Sequence, residues 1–569
     1  MFRGIGASPG VAIGRALVYK EEELKLEKIM VDDIEAEAVS FHNALELSKV
    51  QLLEIKEEAM TRLGQDKAAI FEAHIMILED PELISQVEEK LKKEQVSAAY
   101  AVKEVLYSFI SIFEAMEDAY MKERAADIKD VGGRLLKNLL GQPIVDISSL
   151  SNEVILIAHD LTPSDTATMD LEKVLGFITN IGGRTSHTAI MARTLEIPAI
   201  VGVEGITETI KTGDYIVFDG EAGHGYINPN KVTLYDYEKK QQRYLEAKKE
   251  LITLRDSQTI TKDGRRVELA CNIGTPKDVK GVIENGGEGI GLYRTEFLYM
   301  NRSSMPSEEE QFEAYKEVLE RLENKPVILR TLDIGGDKEL PYLNLPKEMN
   351  PFLGYRAIRI CLAEPEIFKV QLRALLRASL YGNLKIMYPM ISSVEEVREA
   401  NGILAEVKQQ LDKEGIAYSK EIEVGIMIEI PSAAVIGDLL IKEVDFFSIG
   451  TNDLIQYSTA VDRINEKISH LYEPHNPAIL RLIKMVIDHA HRAGKWVGMC
   501  GEMAGDPKLI PILIGLGLDE FSMSAGAVLA ARKIIGELSY DKMKHIAEEA
   551  LNLPTAEEIK AYIMQALTY

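Results

Sequence analysis

Gly425-Ile-Met-Ile-Glu-Ile-Pro431 and Ser448-Ile-Gly-Thr-Asn-Asp453 are apolar runs that each lead into a carboxylate, Glu429 in the first and Asp453 in the second. They belong to a series of eight strand-like apolar runs that alternate with amphipathic helical stretches after Asp263-Gly264. The runs are residues 267–273, 289–293, 327–329, 384–390, 424–428, 446–449, 496–499 and 520–523. Because eight βα units in about 300 residues are typical of a (βα)8 barrel, we predict one here, with its active site at the C-terminal ends of the strands.

Polar residues follow the ends of these runs, and the strand ends of a closed barrel converge on one mouth. They are Arg294, Arg330, Glu429, Asn452, Asp453 and Cys500. Further arginines, Arg356, Arg359 and Arg463, are expected at the same mouth. Since a guanidinium binds phosphate or carboxylate through two parallel hydrogen bonds, these arginines predict a substrate with more than one anionic group. Ion pairs between neighbouring βα units are the alternative for one or two of them.

Glu429 and Asp453 follow adjacent predicted strands. Two carboxylates, completed by water and substrate oxygens, suit Mg²⁺ better than a soft metal, although acids at strand ends also serve as helix caps. Cys500 lies in Gly498-Met-Cys-Gly-Glu-Met-Ala-Gly505. A thiol flanked by glycines at a strand end can act as acid or nucleophile, whereas a buried cysteine is more often a small hydrophobe.

The first half of the chain predicts a different architecture. Residues 1–20 and 144–230 read as short strands split by glycines, which predicts one discontinuous α/β domain. Residues 21–143 have few glycines and a helical spacing of apolar residues, which predicts an all-helical subdomain inserted into it. Residues 231–260 read as a charged linker helix, and residues 261–569 as the barrel.

Composition restricts the classes of function. The 569 residues carry a net charge of −25, which disfavours nucleic acid and anionic membrane surfaces as partners. No apolar run is long enough to span a bilayer, and three separated cysteines fit a reducing cytoplasm. Residues 21–140 contain 27 acidic and 15 basic residues, hence −12 of the −25. This charge is interpreted either as a solvated helix surface or as a docking face for a basic partner.

A second candidate site lies around His187, in Gly182-Gly-Arg-Thr-Ser-His187. A glycine pair before a helix that carries Arg184, hydroxyls and a histidine offers backbone N–H groups and a cation to an anion, as a phosphorylated histidine requires. A structural histidine is the alternative. Thr166, beyond another strand of the same domain, could orient the His187 ring; a helix N-cap by Ser164 or Asp165 explains that segment equally well.

These strings resemble enzyme I of the bacterial phosphotransferase system over essentially the whole chain. The resemblance includes Gly4-Ile-Gly-Ala-Ser-Pro-Gly-Val-Ala, Phe71-Glu-Ala-His74, Leu78-Glu-Asp-Pro81, the His187 loop and Asn350-Pro-Phe-Leu-Gly-Tyr-Arg356. It implies that His187 in the α/β domain is phosphorylated by phosphoenolpyruvate, and that Cys500 protonates the enolate to give pyruvate. The substrate residues implied are Arg294, Arg330, Arg356, Asn452, Asp453 and Arg463, with Glu429 and Asp453 as Mg²⁺ ligands and Thr166 and Arg184 supporting His187.

The resemblance also implies partners. The helical subdomain would bind the phosphocarrier protein HPr, which receives the phosphoryl group on a histidine in the first step of sugar transport, and the barrel would form a homodimer. Related enzymes with an added ATP-binding domain fit less well, because only about 180 residues precede His187 and they contain no phosphate-binding glycine motif. A sensing protein without chemistry is the competing hypothesis, although sensing requires neither His187 nor Cys500.

Overall fold

A computed structural model describes residues 1–568 except residues 20–25, 27, 64, 115–118, 143–146, 148–149, 184–185, 301, 303, 337, 339, 341, 344, 346–347, 464 and 466. The chain forms two compact units, Met1–Ala247 and Lys248–Tyr569.

The first unit contains an eight-stranded mixed sheet. Its strands are β1 (Phe2–Arg3), β2 (Ile5–Ser8), β3 (Val11–Tyr19), β4 (Val154–Ala158), β5 (Val174–Thr179), β6 (Ala199–Val201), β7 (Tyr215–Asp219) and β8 (His224–Ile227). They are ordered β1-β8-β7-β3-β4-β5-β6-β2. β3 pairs in parallel with β4, from Arg15 opposite Val154 to Tyr19 opposite Ala158. The two ends of this discontinuous domain therefore meet in the middle of one sheet.

Five helices lie between β3 and β4 in the sequence. They are α1 (Ile34–Leu63), α2 (Gln65–Leu78), α3 (Pro81–Glu94), α4 (Ala98–Glu114) and α5 (Ala119–Leu139). They share a core of their own around Phe41, Leu52, Phe71 and Val102. Each of these helices has one apolar face, and the neighbouring helices bury it. The helices therefore form a separate subdomain.

The remaining helices of the first unit are short, apart from the helix that ends it. They are α6 (Pro163–Thr168), α7 (His187–Thr194), α8 (Ile206–Thr209) and α9 (Lys231–Thr253). α9 is mostly exposed and continues past the boundary between the units.

The second unit is a closed barrel of eight parallel strands. They are β9 (Glu268–Ile273), β10 (Gly289–Arg294), β11 (Pro326–Arg330), β12 (Asn383–Tyr388), β13 (Glu423–Ile428), β14 (Phe446–Ile449), β15 (Val497–Met499) and β16 (Glu520–Met523). β16 pairs with β9 and closes the barrel. β13 and β14 are buried along nearly their whole length, as strands covered by helices must be.

Helices surround the barrel and connect its strands. They are α10 (Val279–Glu284), α11 (Glu308–Leu322), α12 (Ile358–Ala363), α13 (Pro365–Ala378), α14 (Val394–Glu414), α15 (Pro431–Val435), α16 (Gly437–Leu440), α17 (Thr451–Thr459), α18 (Pro477–Arg492), α19 (Ile510–Leu516), α20 (Val528–Glu537), α21 (Tyr540–Ala550) and α22 (Ala556–Thr568). Among the residues described, no helix is long and apolar enough to cross a membrane.

The predicted fold class is confirmed: a C-terminal (βα)8 barrel and an N-terminal α/β domain with an inserted all-helical subdomain. Each of the eight apolar runs overlaps a barrel strand over most of its length. The prediction overlooked β8, the hairpin partner of β7.

Candidate active site

One cavity of about 480 Å³ lies at the C-terminal ends of the barrel strands. It is lined by every barrel residue predicted to bind substrate or metal or to act as the acid: Arg294, Arg330, Arg356, Glu429, Asn452, Asp453, Arg463 and Cys500. Arg294 and Arg330 end their strands, whereas Asn452 and Asp453 lie in the first turn of α17. Arg359, the other expected arginine, does not line it; its guanidinium donates to the carbonyls of Leu353 and Gly354.

Asp333 holds two of the arginines in place. Its carboxylate lies 3.0 Å from Nη1 of Arg330 and 2.9 Å from Nη2 of Arg356, and all three residues are buried. Burial alone would raise the pKa of Asp333, but Arg330, Arg356 and Lys338 outweigh it and hold that pKa well below its usual range. Asp333 is therefore an anion that fixes the direction of both guanidinium groups.

Glu296 plays a similar part on the other side of Arg330. Its Oε1 lies 2.5 Å from Nη2 of Arg330 and 2.8 Å from Nζ of Lys338. Sequence reasoning did not single out Glu296, Asp333 or Lys338. Their only signal was position, since each closely follows a strand-end arginine in the sequence.

The cavity is therefore not the positive cluster that the arginines alone suggest. Its lining has five basic side chains, Arg294, Arg330, Lys338, Arg356 and Arg463, and five acidic ones, Glu296, Asp333, Glu429, Asp453 and Glu502. Arg294 is exposed and makes no ion pair with any residue that the structure describes. Arg294 is thus available to an anionic ligand. Arg330 and Arg356, in contrast, are already paired with carboxylates of the protein.

Glu429 and Asp453 fit a divalent cation. Glu429 is 2% exposed, and its Oε1 accepts a 2.6 Å hydrogen bond from the amide of Met390. Met390 has a φ of +57°, a left-handed conformation that costs a non-glycine residue about 1–2 kcal/mol and directs this amide. Burial, and next the charge of Asp453, raise the pKa of Glu429 to about 8. A bound cation would relieve both effects.

The donor set limits which metal fits. Among the described residues, no group of three or more His, Cys, Asp or Glu side chains could hold a metal. Two carboxylates with remaining positions for water and substrate oxygens match the way Mg²⁺ is usually bound. The added charge would also make the balanced cavity positive, as a phosphate-bearing ligand requires.

Cys500 is buried at the bottom of the cavity, 4% exposed, among Leu292, Ile328, Met387 and Met427. Burial is the main cause that raises the pKa of its thiol to about 11. The thiol is therefore protonated at neutral pH and can donate a proton.

The His187 segment belongs to the first unit. Ser186 caps α7: its Oγ accepts from the amide of Ala189 at 3.3 Å and donates to the carbonyl of Gly183 at 2.9 Å. His187 is the first residue of the helix, and its side chain is outside the described part of the structure, as are Arg184 and Thr185. Their predicted roles stay predictions.

Thr166 is buried on α6, and its hydroxyl donates to the carbonyls of Thr162 and Pro163, at 3.2 and 3.1 Å. The hydroxyl is thus engaged by its own helix, and its role towards His187 remains a prediction. The N-cap of α6 is Thr162, rather than Ser164 or Asp165. Asp165 is the third residue of the helix, and its side chain completes the capping box with Thr162.

Comparisons with known proteins match three family models. Residues 248–540 match the PEP-binding domain of PEP-utilising enzymes, residues 3–124 their N-terminal domain and residues 150–223 their mobile domain. The phosphoenolpyruvate-protein phosphotransferase of Bacillus subtilis (strain 168) is 59% identical over 563 residues, 99% of each chain. The chain belongs to the phosphoenolpyruvate–protein phosphotransferase family.

A second relative agrees with this membership. The phosphoenolpyruvate-protein phosphotransferase of Staphylococcus carnosus (strain TM300) is 57% identical over 98% of this chain and 97% of its own. A solution NMR structure of Enzyme I (nEIt) is 48% identical, covers 43% of this chain and 99% of its own, and has a TM-score of 0.39. The chain is thus a phosphotransferase of the phosphotransferase system that uses phosphoenolpyruvate, in a family that uses a divalent metal.

Proposed function

We propose that the phosphoryl group of phosphoenolpyruvate is transferred to His187 and then to a histidine of HPr. The observation that carries the proposal is the convergence of eight predicted residues on one cavity of the barrel. His187 lies in the other compact unit, so the reaction requires the two units to meet during each cycle.

Phosphoenolpyruvate would bind in the barrel cavity. Arg294 and Arg463 are the arginines available to its phosphate and carboxylate, and Arg330 and Arg356 add donors whose directions Asp333 fixes. Rigid donors stabilise charge that develops in the transition state without further reorganisation. The arginines therefore favour loosening of the phosphoryl group as neutral His187 attacks it.

Mg²⁺ is the proposed metal, held by Glu429 and Asp453. When bound, it supplies positive charge that offsets charge on phosphate and enolate oxygens. Glu429 is kept in position for this by the amide of Met390.

Cys500 is the proposed acid. The enolate that leaves the phosphoryl group must be protonated at carbon to become pyruvate, and the buried thiol lines the same cavity in its protonated form. Arg330 lies close enough to lower the cost of the thiolate that remains.

The helical insertion is the proposed HPr-binding subdomain, and the barrel the proposed dimerisation domain of a cytoplasmic enzyme. Sedimentation of fragments 1–230 and 257–569, which leave α9 uncut, tests the assignment of dimerisation to the barrel. We expect a monomeric first fragment and a dimeric second one, and the reverse result would contradict it.

Phosphoenolpyruvate–pyruvate isotope exchange tests the function. It requires phosphoryl transfer in both directions but no carrier protein. We expect exchange that depends on Mg²⁺ and is lost in His187→Ala. It should persist in His159→Ala, a control that removes an exposed histidine just after β4 in the same unit. Binding of phosphoenolpyruvate without exchange would support the sensing protein instead.

A further inference from the structure

Glu520 is a buried carboxyl group without a hydrogen-bond partner inside the barrel. It begins β16, is 3% exposed, and neither of its oxygens makes a hydrogen bond to any described group. The amide of Met499 faces it without completing a hydrogen bond. Burial, and next the neighbouring Glu268, raise the pKa of Glu520 well above its ordinary value. The group is thus a neutral carboxylic acid in the barrel interior.

Two glycines make room for this acid. Gly498 pairs with Glu520 in the β15–β16 register, and a Cβ on Gly498 would overlap Oε2 of Glu520. A Cβ on Gly291 would overlap Oε1. The carboxyl is therefore held between β10 and β15, in space that any other residue at either position would fill.

This position lies one layer below the thiol of Cys500. Cys500 follows Gly498 by two residues, so it points to the same interior face about 7 Å further along the strand. A polar group of the thiol's layer lies close to Glu520, because a Cβ on Gly291 would overlap both Oε1 of Glu520 and Oγ of Ser522. The hydroxyl of Ser522 donates to Oδ1 of Asn272 at 2.7 Å, and Nδ2 of Asn272 donates to the carbonyl of Cys500 at 3.1 Å.

If Cys500 acts as the acid, its thiolate must be protonated again after each reaction, and Glu520 can supply that proton. Once the S–H bond breaks and its proton forms the new C–H bond of pyruvate, a thiolate remains on a side chain that is only 4% exposed. We propose that Glu520 is the proton reservoir of this enzyme, which returns a proton to the Cys500 thiolate and regains one from water. This inference rests on the proposed function of Cys500.

The return step is balanced. The O–H bond of Glu520 breaks, an S–H bond forms on Cys500, and the resulting carboxylate takes a proton from solvent. The floor of the barrel offers a route for that proton. Glu268, whose pKa burial raises to about 7, lies beside Glu520, and below them Lys385 pairs at 2.7 Å with the partly exposed Glu423.

The test compares two rates in the full-length enzyme: phosphoenolpyruvate–pyruvate isotope exchange, and loss of tritium from methyl-labelled pyruvate to water. Exchange alone can return the same proton to Cys500, whereas tritium loss requires the thiol to equilibrate with solvent. In Glu520→Gln we expect exchange to continue while the ratio of tritium loss to exchange falls roughly tenfold or more. Glu366→Gln, at an exposed glutamate on α13 outside the proposed route, is the matched control and should keep the wild-type ratio.

Glu520→Asp keeps an acid but withdraws it by one methylene, so an intermediate ratio is expected. It also serves if the glutamine variant does not fold. A wild-type ratio in a folded Glu520→Gln or Glu520→Asp enzyme overturns the proposal, because Glu520 then only fills space. Unchanged exchange in Cys500→Ala would instead refute the acid role of Cys500, which is a separate failure.

Discussion

At the scale of single residues, Asp333 carries the most consequence. It pairs with Arg330 and Arg356 at once, and breaking such a buried pair costs about 3–5 kcal/mol. We expect Asp333→Asn to lower the free energy of unfolding of the barrel by that order and to weaken phosphoenolpyruvate binding. Asp412→Asn, which removes an exposed pair with Lys420, should cost less than about 1 kcal/mol.

The pH dependence of this difference has a definite sign. Because the pKa of folded Asp333 lies below its ordinary value of about 3.9, its contribution is complete above that pH and is lost as the pH falls. We therefore expect the difference in free energy of unfolding between the wild type and Asp333→Asn to shrink in acid. Denaturant unfolding of both proteins from about pH 7 to pH 3 measures it. A difference that grows in acid would contradict the assignment.

Cys500 makes the second prediction at this scale. Cys500→Ala should slow pyruvate formation by at least the ~10²-fold typical of a lost general acid, with phosphoenolpyruvate binding retained. Because the thiol pKa is about 11, wild-type activity should not decline between about pH 6 and 9 through ionisation of this group. Rapid-quench measurement of pyruvate checks both; wild-type speed in the variant would mean that another group supplies the proton.

The sequence predicted those residues of the site that lie at the end of a barrel strand. Arg294, Glu429 and Cys500 were identified because a strand end in a barrel points to the mouth whatever surrounds it. The pairing of Arg330 and Arg356 through Asp333 could not be predicted, since it depends on how the long segment between β11 and β12 folds back to bring Arg356 to Asp333, 23 residues away in the sequence. The sequence therefore predicted a positive cluster where acidic and basic side chains are in fact equal in number.

At the scale of elements, the barrel strands are predictable because buried parallel strands are continuous apolar runs. The ends of the strands are less predictable. The predicted run 384–390 continues past Tyr388, where β12 ends, because Met390 is apolar. In the structure Met390 lies beyond the strand and its amide donates to Glu429. β8 was missed because His224–Ile227 is short and half-buried.

Glycines within elements give a matched pair of predictions. A Cβ on Gly425 in β13 would lie 2.5 Å from the ring of Phe446, which is stacked on Trp496 with centroids 4.5 Å apart. We expect Gly425→Ala to cost about 1–3 kcal/mol through overpacking. Gly402 in α14 has nothing within 4 Å of a Cβ, so Gly402→Ala should stabilise by about 0.5–1 kcal/mol. Equal effects in denaturant unfolding would contradict this packing.

The acidic helices are expected to attract a basic face of HPr. Affinity should therefore fall as salt shortens the Debye length from ~10 Å at 0.1 M to ~3 Å at 1 M. Charge reversal at Glu72 and Glu79, which are exposed and pair with Lys56 and Lys49 respectively, should weaken binding further. Asp80 is a poor choice for this test because it caps α3. Titration at several salt concentrations checks this, and no change would favour a merely solvated surface.

At the scale of the whole molecule, the proposed chemistry is divided between two compact units. The cavity that would hold phosphoenolpyruvate lies in Lys248–Tyr569, and His187 in Met1–Ala247. Loss of His187 should therefore abolish phosphoryl transfer without affecting substrate binding.

The most direct test of the account is protein labelling with phosphoenolpyruvate carrying a ³²P phosphoryl group. We predict acid-labile label on the wild type and on His159→Ala, and none on His187→Ala, which should still bind phosphoenolpyruvate with Mg²⁺ by calorimetry. Label of wild-type stoichiometry on His187→Ala would contradict the central claim that His187 carries the phosphoryl group.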